Sequence, residues 1–180
     1  MARVIDLSRP IYNDMEVYPG DPAVKVRVVH SLAREGWVLR ELVMGSHTGT
    51  HVDAFSHMHQ EGKTLDEIPL SCFFGKARVV TPGQDLPRGV GLIFAAGRAD
   101  TGLLDRISAA GPPFVGVGRR GYEFFTVELE RQLLARAIVT YSGLVNVDKL
   151  PRDAEFMFYG FPLKIQEGDG SPVRAVAVVG

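Results

Sequence analysis

Cysteine, an excess of basic side chains and long apolar runs are scarce or missing in this sequence. The single cysteine, Cys72, cannot form an intrachain disulfide, which excludes a disulfide-stapled fold. The 20 Lys and Arg residues are balanced by 21 Asp and Glu residues, and the net charge is −1. No run of basic residues alternates with aromatic ones. A nucleic-acid partner and an anionic membrane surface are therefore not expected.

The apolar runs are too short to cross a bilayer, and the first ten residues lack the apolar stretch of a signal peptide. We therefore expect a cytoplasmic protein without a membrane partner. The 180 residues, of which 46% are hydrophobic, suffice for one sizeable core and are few for two. A single domain over residues 1–180 is expected.

Histidine is also scarce over most of the chain. Four of the five histidines lie between Ser46 and His59, and none occurs after that segment. This short stretch must therefore supply nearly all imidazole chemistry. Cys72 could act as a nucleophile instead, but a small buried hydrophobe beside two phenylalanines is the simpler interpretation.

The segment Gly45 to His57 reads GSHTGTHVDAFSH. His47, His51 and Asp53 occupy alternate positions with Gly49 between the two histidines, and in an extended strand such residues share one face. A helix would also bring the histidines together, but the glycine and the three β-branched residues of the segment disfavour it. We predict an extended segment in which Gly49 leaves room for an ion or a substrate near the backbone.

Two imidazoles and one carboxylate form a donor set that suits zinc or manganese. Three protein ligands leave one coordination position open for water, and an open position is typical of a catalytic site. The alternative is a polar strand whose histidines only satisfy hydrogen bonds in the core. Four such residues within eleven positions favour the metal site.

The same segment resembles the signature H-x-G-T-H-x-D-x-P-x-H of the cyclase family of metal-dependent hydrolases, of the bacterial kynurenine formamidase and isatin hydrolase type. Phe55 stands where the family usually has proline. Three further stretches carry the likeness, at Ile5–Pro22, Gly62–Leu70 and Pro162–Ala175. The resemblance therefore covers both ends of the chain and is weakest in the middle.

The resemblance implies roles for particular residues. His47, His51 and Asp53 would bind a divalent metal, zinc foremost and manganese as the alternative, and His57 would act in catalysis. Tyr18, in a loop rich in proline and glycine, would contact the substrate, although a tyrosine packed on a proline corner is an equal alternative. The family also implies a homodimer or larger homo-oligomer whose pockets are completed by a neighbour's N-terminal loop.

The activity implied is metal-dependent hydrolysis of an amide-like C–N bond in a small aryl substrate, as in an arylformamidase. The metal would lower the pKa of bound water toward roughly 7 and polarise the carbonyl, and His57 would pass a proton to the departing amine. Two alternatives stay open. The chain could bind a metal or small ligand with little turnover, or it could hydrolyse or cyclise a different carbonyl substrate.

One departure from the family concerns a second metal. Formamidases of the family commonly hold it with the shared aspartate, a histidine and a glutamate. Aligned on the stretch SGLVNVDKLP, this sequence has Glu130 at the histidine and Ser142 at the glutamate. A neutral hydroxyl is a poor ligand for a divalent ion, so we expect one tightly bound metal per chain.

The remaining pattern predicts an α/β domain with mixed sheets and few helices, which the resemblance identifies with a swivelling β/α/β arrangement. Two half-buried strands, Val24–Val29 and Trp37–Met44, are expected to pair. Asp100 is expected to cap one helix that Gly111 closes. Predicted core strands are Ile5–Leu7, Lys76–Val80, Leu92–Ala96, Phe114–Val117, Ala137–Tyr141, Glu155–Phe161 and Arg174–Val179.

The second predicted helix is capped by Thr126, runs from Val127 to Arg136 and turns Val127 inward. With the strands on either side of it, this helix predicts a parallel pair with a right-handed crossover. The stretch Gly116–Gly121 lacks the spacing of a phosphate-binding loop, although Arg119 and Arg120 could meet an anionic substrate. Gly168-Asp169-Gly170 is most simply interpreted as a turn.

Overall fold

The structure, a computed structural model, describes residues 2–97, 99–118 and 126–180. In chain order its elements are β1 (Arg3–Asp6), β2 (Lys25–His30), β3 (Leu39–Val43), β4 (His51–Asp53), β5 (Phe74–Val80), β6 (Gly91–Phe94), α1 (Leu103–Ala110), β7 (Phe114–Gly118), α2 (Val127–Leu134), β8 (Val139–Leu144), β9 (Phe156–Tyr159), β10 (Gly170–Pro172) and β11 (Val176–Val179). Short 3₁₀ helices cover Phe55–His57, Leu70–Cys72 and Val147–Lys149. Arg119 and Arg120 lie outside the described residues.

Nine strands form one mixed sheet in the order β1-β11-β9-β5-β6-β7-β8-β4-β10. Strands β5 to β8 at the centre run parallel, and the strands on both sides of them pair antiparallel. The predicted parallel pair is confirmed, because β7 and β8, between which α2 lies in the chain, are parallel neighbours. Thr126 caps α2 as predicted, since its hydroxyl accepts a hydrogen bond from the amide of Leu129 at 3.1 Å.

The central strands are buried on both faces because alternate residues point to opposite sides of the sheet. On one face Leu92 and Val115 pack with Ile107 of α1 and Leu133 of α2. On the other face the larger core surrounds Tyr141 and its aromatic neighbours. The predicted class, a swivelling α/β domain with mixed sheets and few helices, is confirmed. Among the described residues, no helix has the length and apolar character needed to span a membrane.

The chain that leaves β1 joins two distant parts of the sheet. The amide of Leu7 donates to the carbonyl of Ala175, which precedes β11, and the carbonyl of Leu7 accepts from the amide of Val145, which follows β8. Both distances are 2.9 Å. One residue therefore contacts the β11 side and the β8 side of the same sheet, which curls the sheet around the larger core.

Two predicted helix details are wrong. Asp100 does not cap α1; its carboxylate pairs with Arg106 at 2.8 Å, while Gly102 stands at the cap without a side-chain bond. Val127 does not face inward but is 53% exposed, because the first turn of α2 opens onto the cavity described below. Gly111 does close α1, in the left-handed conformation with φ of 61°.

Strands β2 and β3 pair with each other as predicted and form a separate two-stranded ribbon, here called the hairpin arm (residues 25–43). Their predicted half-burial is wrong, because every residue of β3 is exposed and β2 has no buried residue. Most apolar side chains along both strands are therefore not covered by the part of the chain that the structure describes.

The largest fully buried side chain is that of Tyr141, in the larger core. Its hydroxyl donates to the carbonyl of Gly160 at 2.8 Å and lies 3.3 Å from the carbonyl of Phe73. Burial raises the pKa of this phenol well above its usual value, so the group is a neutral donor.

We predict that Tyr141→Phe lowers the free energy of unfolding by about 1–3 kcal/mol, because it leaves a buried carbonyl without its donor. Urea denaturation measures the change. Tyr159→Phe is the matched control, since Tyr159 stacks on Phe74 at the protein surface and makes no hydroxyl bond among the described residues. A loss in Tyr141→Phe no larger than in the control would contradict the prediction.

Candidate metal centre

The three predicted ligands, His47, His51 and Asp53, come together in the structure. Asp53 Oδ1 lies 2.7 Å from Nδ1 of His47 and 3.5 Å from Nε2 of His51. These three atoms lie within 4.8 Å of one another. The side chains of all three are mostly buried, at 18%, 12% and 1% exposed respectively.

The route by which they meet differs from the prediction. Only His51–Asp53 is strand, and His47 stands in a turn before it. The two-residue alternation therefore holds for His51 and Asp53 but not for His47, whose side chain returns to the site because the backbone turns. The predicted extended segment is wrong for residues 45–50.

Gly49 serves this turn through its backbone conformation. Its φ is +70°, a value that other residues rarely adopt. A Cβ built there would meet Met15 and Ile11 at 3.6 and 3.7 Å, which are ordinary contacts. Its φ is therefore a sufficient reason for a glycine at this position, and the interpretation that Gly49, which lines the cavity, leaves room for close approach stays a prediction.

Each ligand also bonds through the atom that faces away from the other two. His51 Nδ1 lies 3.2 Å from the carbonyl of Gly49, and His47 Nε2 lies 2.9 Å from the carboxylate of Asp169. The hydroxyl of Thr140 donates to Asp53 Oδ2 at 2.8 Å. These bonds fix the imidazole tautomers and direct Nδ1 of His47, Nε2 of His51 and Oδ1 of Asp53 toward one another.

Sequence reasoning missed Asp169 and Thr140. The interpretation of Gly168-Asp169-Gly170 as a turn is wrong, because Asp169 lies in a bend and Gly170 begins β10, and the Asp169 carboxylate belongs to the site. The signal that could have identified it is an aspartate between two glycines within a family-like stretch. Thr140 carried no signal, because only the register of β8 against β4 places it opposite Asp53.

The charges of the site stabilise one another. Burial alone would raise the pKa of Asp53, but the neighbouring His51 charge and the bonds from His47 and Thr140 hold it well below its usual range. Burial alone would lower the pKa of His47, but Asp53 and Asp169 outweigh it and raise the pKa to about 9. Without a metal, His47 is therefore an imidazolium between two carboxylates at neutral pH.

His57 lies at the end of the 3₁₀ helix Phe55–His57, and its ring centroid is 4.0 Å from that of His47. Its Nδ1 is 3.7 Å from Asp169 Oδ2. Burial and the nearby His47 charge lower its pKa, so His57 is neutral at neutral pH and can accept a proton. His59 lies away from the site and bonds to the carbonyl of Arg131.

The two aligned positions of the second metal border the same site. Ser142 pairs with His51 across β8 and β4, and Glu130 Oε1 lies 3.1 Å from the hydroxyl of Thr140. Burial and the Asp53 charge raise the pKa of Glu130 to about 8, so its carboxyl is mostly protonated at neutral pH. Two sets of side chains among the described residues could hold a metal: His47, His51 and Asp53, or His47, His57 and Asp169. Neither set includes Glu130.

A cavity of about 330 Å³ opens above these residues. Tyr18 is 64% exposed and lines it from the N-terminal loop, and Val127 lines it from the start of α2. Cys72 lies elsewhere, and burial raises the pKa of its thiol, which argues against an activated nucleophile. The other lining residues are Arg9, Glu16, Val17, Asp21, His47, Gly49, His51, Asp53, His57, Met58, Glu130 and Ser142.

The donor set fits a divalent ion. Ligand atoms that bind one zinc ion at about 2.0–2.2 Å lie roughly 3–3.5 Å apart, close to the separations found here. Two imidazole nitrogens and one carboxylate oxygen suit zinc or manganese. The remaining hydrogen bonds of each ligand are already satisfied, which is the usual support of a metal-binding histidine.

Comparison with known proteins also indicates a metal-dependent hydrolase family. The sequence model of the family described as Putative cyclase matches residues 5–95, just over half of the 180 residues. The kynurenine formamidase of Bacillus thuringiensis (strain Al Hakam) is 27% identical over 199 residues, which cover 96% of this chain and 95% of the relative.

Solved structures share the fold. Isatin hydrolase A from Labrenzia aggregata, bound to benzyl benzoate, superposes with a TM-score of 0.78 at 20% identity, over 99% of this chain and 94% of that chain. A predicted metal-dependent hydrolase from Bacillus stearothermophilus superposes with a TM-score of 0.78 at 22% identity, over 99% and 98% of the two chains. The chain therefore belongs to the cyclase family of metal-dependent hydrolases.

Proposed function

We propose that this protein is a metal-dependent hydrolase that cleaves an amide-like C–N bond of a small aryl substrate, as an arylformamidase does. The observation that carries the proposal is the convergence of His47, His51 and Asp53 at the base of a cavity, each held by a further hydrogen bond. The likeness to kynurenine formamidases over nearly the whole chain supports the reaction class.

The metal would be held by His47 Nδ1, His51 Nε2 and Asp53 Oδ1, with zinc proposed first and manganese as the alternative. When bound, such an ion acidifies water and polarises a substrate carbonyl. His57 lies beside this group without belonging to it, and its side chain lines the cavity. It would accept a proton at the imidazole and return it to the departing amine.

Tyr18 would form part of the substrate contact, because it lines the cavity opposite the ligand side chains and its aromatic ring is exposed. The cavity of about 330 Å³ has room for a small aromatic substrate. One sheet contains both β1 and β11, which supports treating residues 1–180 as a single catalytic domain. The cytoplasmic location expected from the sequence stays a prediction.

A panel of formanilides, lactams and esters, assayed with added zinc and with added manganese, tests the function. Fastest cleavage of a formanilide supports the arylformamidase proposal. Fastest cleavage of a lactam or an ester would favour the second candidate, a hydrolase for another carbonyl substrate, to which the shared fold of isatin hydrolase points. Metal binding without turnover of any panel member would instead indicate a diverged binding protein.

We predict that His51→Ala and Asp53→Ala each abolish tight metal binding, because two remaining donors do not hold a divalent ion firmly. Metal content after dialysis, measured by elemental analysis, checks this. His59→Ala is the matched control, since His59 bonds only to a backbone carbonyl outside the site. Metal content equal to that of the parent in either ligand variant would refute the ligand assignment.

His57→Ala is predicted to retain the metal and to lose roughly 10²- to 10⁴-fold in kcat, the usual contribution of a general acid–base group. Steady-state kinetics on the best panel substrate measures the loss, and elemental analysis on the same sample measures the metal. If the metal is lost together with the activity, His57 is a ligand and its proposed catalytic role is wrong.

We predict one tightly bound metal per chain. The place of a second ion is bordered by Ser142, a neutral hydroxyl, and by Glu130, whose carboxyl is bonded to the Thr140 and Asp53 side chains. Protein purified with excess zinc or manganese and then dialysed should contain one equivalent by elemental analysis. Two equivalents that survive dialysis would contradict this prediction.

The protein is also proposed to be a homodimer or a larger homo-oligomer. Eight apolar residues of the hairpin arm are 44–70% exposed, and a patch of this kind favours burial against another protein surface. The residues are Val28, Val29, Leu32, Trp37, Val38, Leu39, Leu42 and Val43. A second copy of the chain presents the same ribbon, which can pair with itself about a twofold axis.

Light scattering at micromolar concentration is expected to give the mass of a dimer or larger species. Leu42→Glu should shift the mass toward the monomer, because it places a charge within the apolar arm. Leu70→Glu serves as the control, since Leu70 is 66% exposed but lies outside the arm. A monomeric parent would contradict the proposal.

A further inference from the structure

The C-terminal loop before β10 brings one carboxylate to the centre of the site. Its backbone is anchored on both sides, because the amide of Ala54 donates to the carbonyl of Asp169 at 2.9 Å and the amide of Leu65 donates to that of Gly168 at 2.8 Å. Strand β10 then pairs with β4, with Gly170 opposite Asp53. Asp169 is therefore placed by backbone bonds to the same segment that carries the predicted ligands.

One oxygen of this carboxylate faces two imidazoles. Oδ2 of Asp169 lies 2.9 Å from Nε2 of His47, a hydrogen bond, and 3.7 Å from Nδ1 of His57, with which it forms an ion pair only when His57 is protonated. The two rings are tilted by 38° and lie side by side. Asp169 thus contacts one residue of the proposed ligand set and the residue proposed to carry the proton.

Gly170 makes this approach possible. A Cβ at Gly170 would lie 2.3 Å from Cε1 of His47 and within 2.9 Å of both ring nitrogens, so any side chain there would displace the ring. The loop backbone therefore packs directly on the His47 imidazole. The ring is held between this backbone and the Asp169 carboxylate in a single orientation.

We propose that Asp169 is the positioning residue of this site: it accepts the Nε2–H of His47, so that His47 presents Nδ1 toward Asp53 and His51, and it keeps His57 beside them. The inference rests on the proposed metal site. A carboxylate behind a ligating histidine fixes the tautomer and ring orientation and increases the basicity of the ligating nitrogen. His57, the proposed general base, must also have its ring held in one orientation to accept a proton from a defined position.

An alternative use of the same atoms is a metal held by His47, His57 and Asp169, whose donor atoms also lie within 4.8 Å of one another. The hydrogen bonds favour the positioning role. Asp53 is 1% exposed, whereas Asp169 is 50% exposed and also bonds to the Ser46 side chain. The second oxygen of Asp53 accepts a hydrogen bond from the Thr140 hydroxyl at 2.8 Å. Thr140 thus leaves Asp53 Oδ1 directed toward the two histidines.

Three variants test the inference: Asp169→Ala, Asp169→Asn and Glu167→Gln. The asparagine keeps an oxygen that can accept from His47, whereas the alanine removes it. Glu167→Gln is the matched control, because it removes the same charge from the same loop at an exposed position that makes no side-chain bond among the described residues. Circular dichroism and thermal unfolding of the metal-free proteins establish that each variant is folded.

Zinc affinity is measured by competition with a chromophoric chelator. We expect Asp169→Ala to bind zinc roughly 10- to 100-fold more weakly than the parent, Asp169→Asn to lose less, and Glu167→Gln to match the parent. Long-range ¹H–¹⁵N spectra of the zinc-loaded parent are expected to show His47 with its proton on Nε2 in slow exchange with water. In Asp169→Ala that proton should exchange faster.

Parent-like zinc affinity and an unchanged Nε2–H signal in Asp169→Ala would overturn the inference. So would a loss of zinc in Asp169→Asn as complete as in Asp53→Ala, because Asp169 would then be a ligand. If Asp169→Ala does not fold, Asp169→Asn takes its place in both measurements. The inference is then overturned if the His47 Nε2 proton of Asp169→Asn exchanges as in the parent and its zinc affinity equals that of Glu167→Gln. A parent that binds neither zinc nor manganese overturns the proposed metal site itself, and this inference with it.

Discussion

The buried carboxylate of Asp53 is the group on which the rest of the site depends. A charge that is only 1% exposed has lost its hydration, and such a charge is tolerated only where partners compensate it. His47, His51 and Thr140 provide that compensation. The turn, strand β4 and strand β8 must therefore meet in one arrangement for Asp53 to remain ionised. The same arrangement holds the three donors of the proposed metal site.

Strand β4 is only three residues long, and pairing with β8 and β10 on its two sides fixes its position. Strand β8 places Ser142 and Thr140 opposite His51 and Asp53, and β10 brings the C-terminal loop to the other side. A slip of one residue would turn the two ligands of the strand to the opposite face. The backbone bonds of the loop to Ala54 and Leu65 help to fix that register.

The polar wall beside the ligands carries little negative charge. Ser142 is a neutral hydroxyl, and burial next to Asp53 keeps Glu130 largely protonated. Both residues line the cavity and offer hydrogen-bonding groups there. The chemistry proposed for this site therefore depends on a single ion and on His57.

Much of the site was predictable because its donors are close in the sequence. Residue type and spacing predicted His47, His51 and Asp53 as metal ligands, and the family resemblance added the proposed role of His57. Alternation of apolar residues predicted most strands, and caps with helical spacing predicted both helices of the described chain. The exposure of the hairpin arm was not predictable in this way. Alternation shows that one face can be buried, but it does not show which surface covers that face.

The sequence by itself determined the donor types, the family and the α/β class, since these depend on neighbouring residues and their periodicity. Only the tertiary structure decided that His47 reaches the site from a turn, that Thr140 orients Asp53 and that Asp169 stands behind His47. The physical reason is separation along the chain. Asp169 lies 122 residues from His47, and only the packing of the whole sheet brings two such side chains into contact.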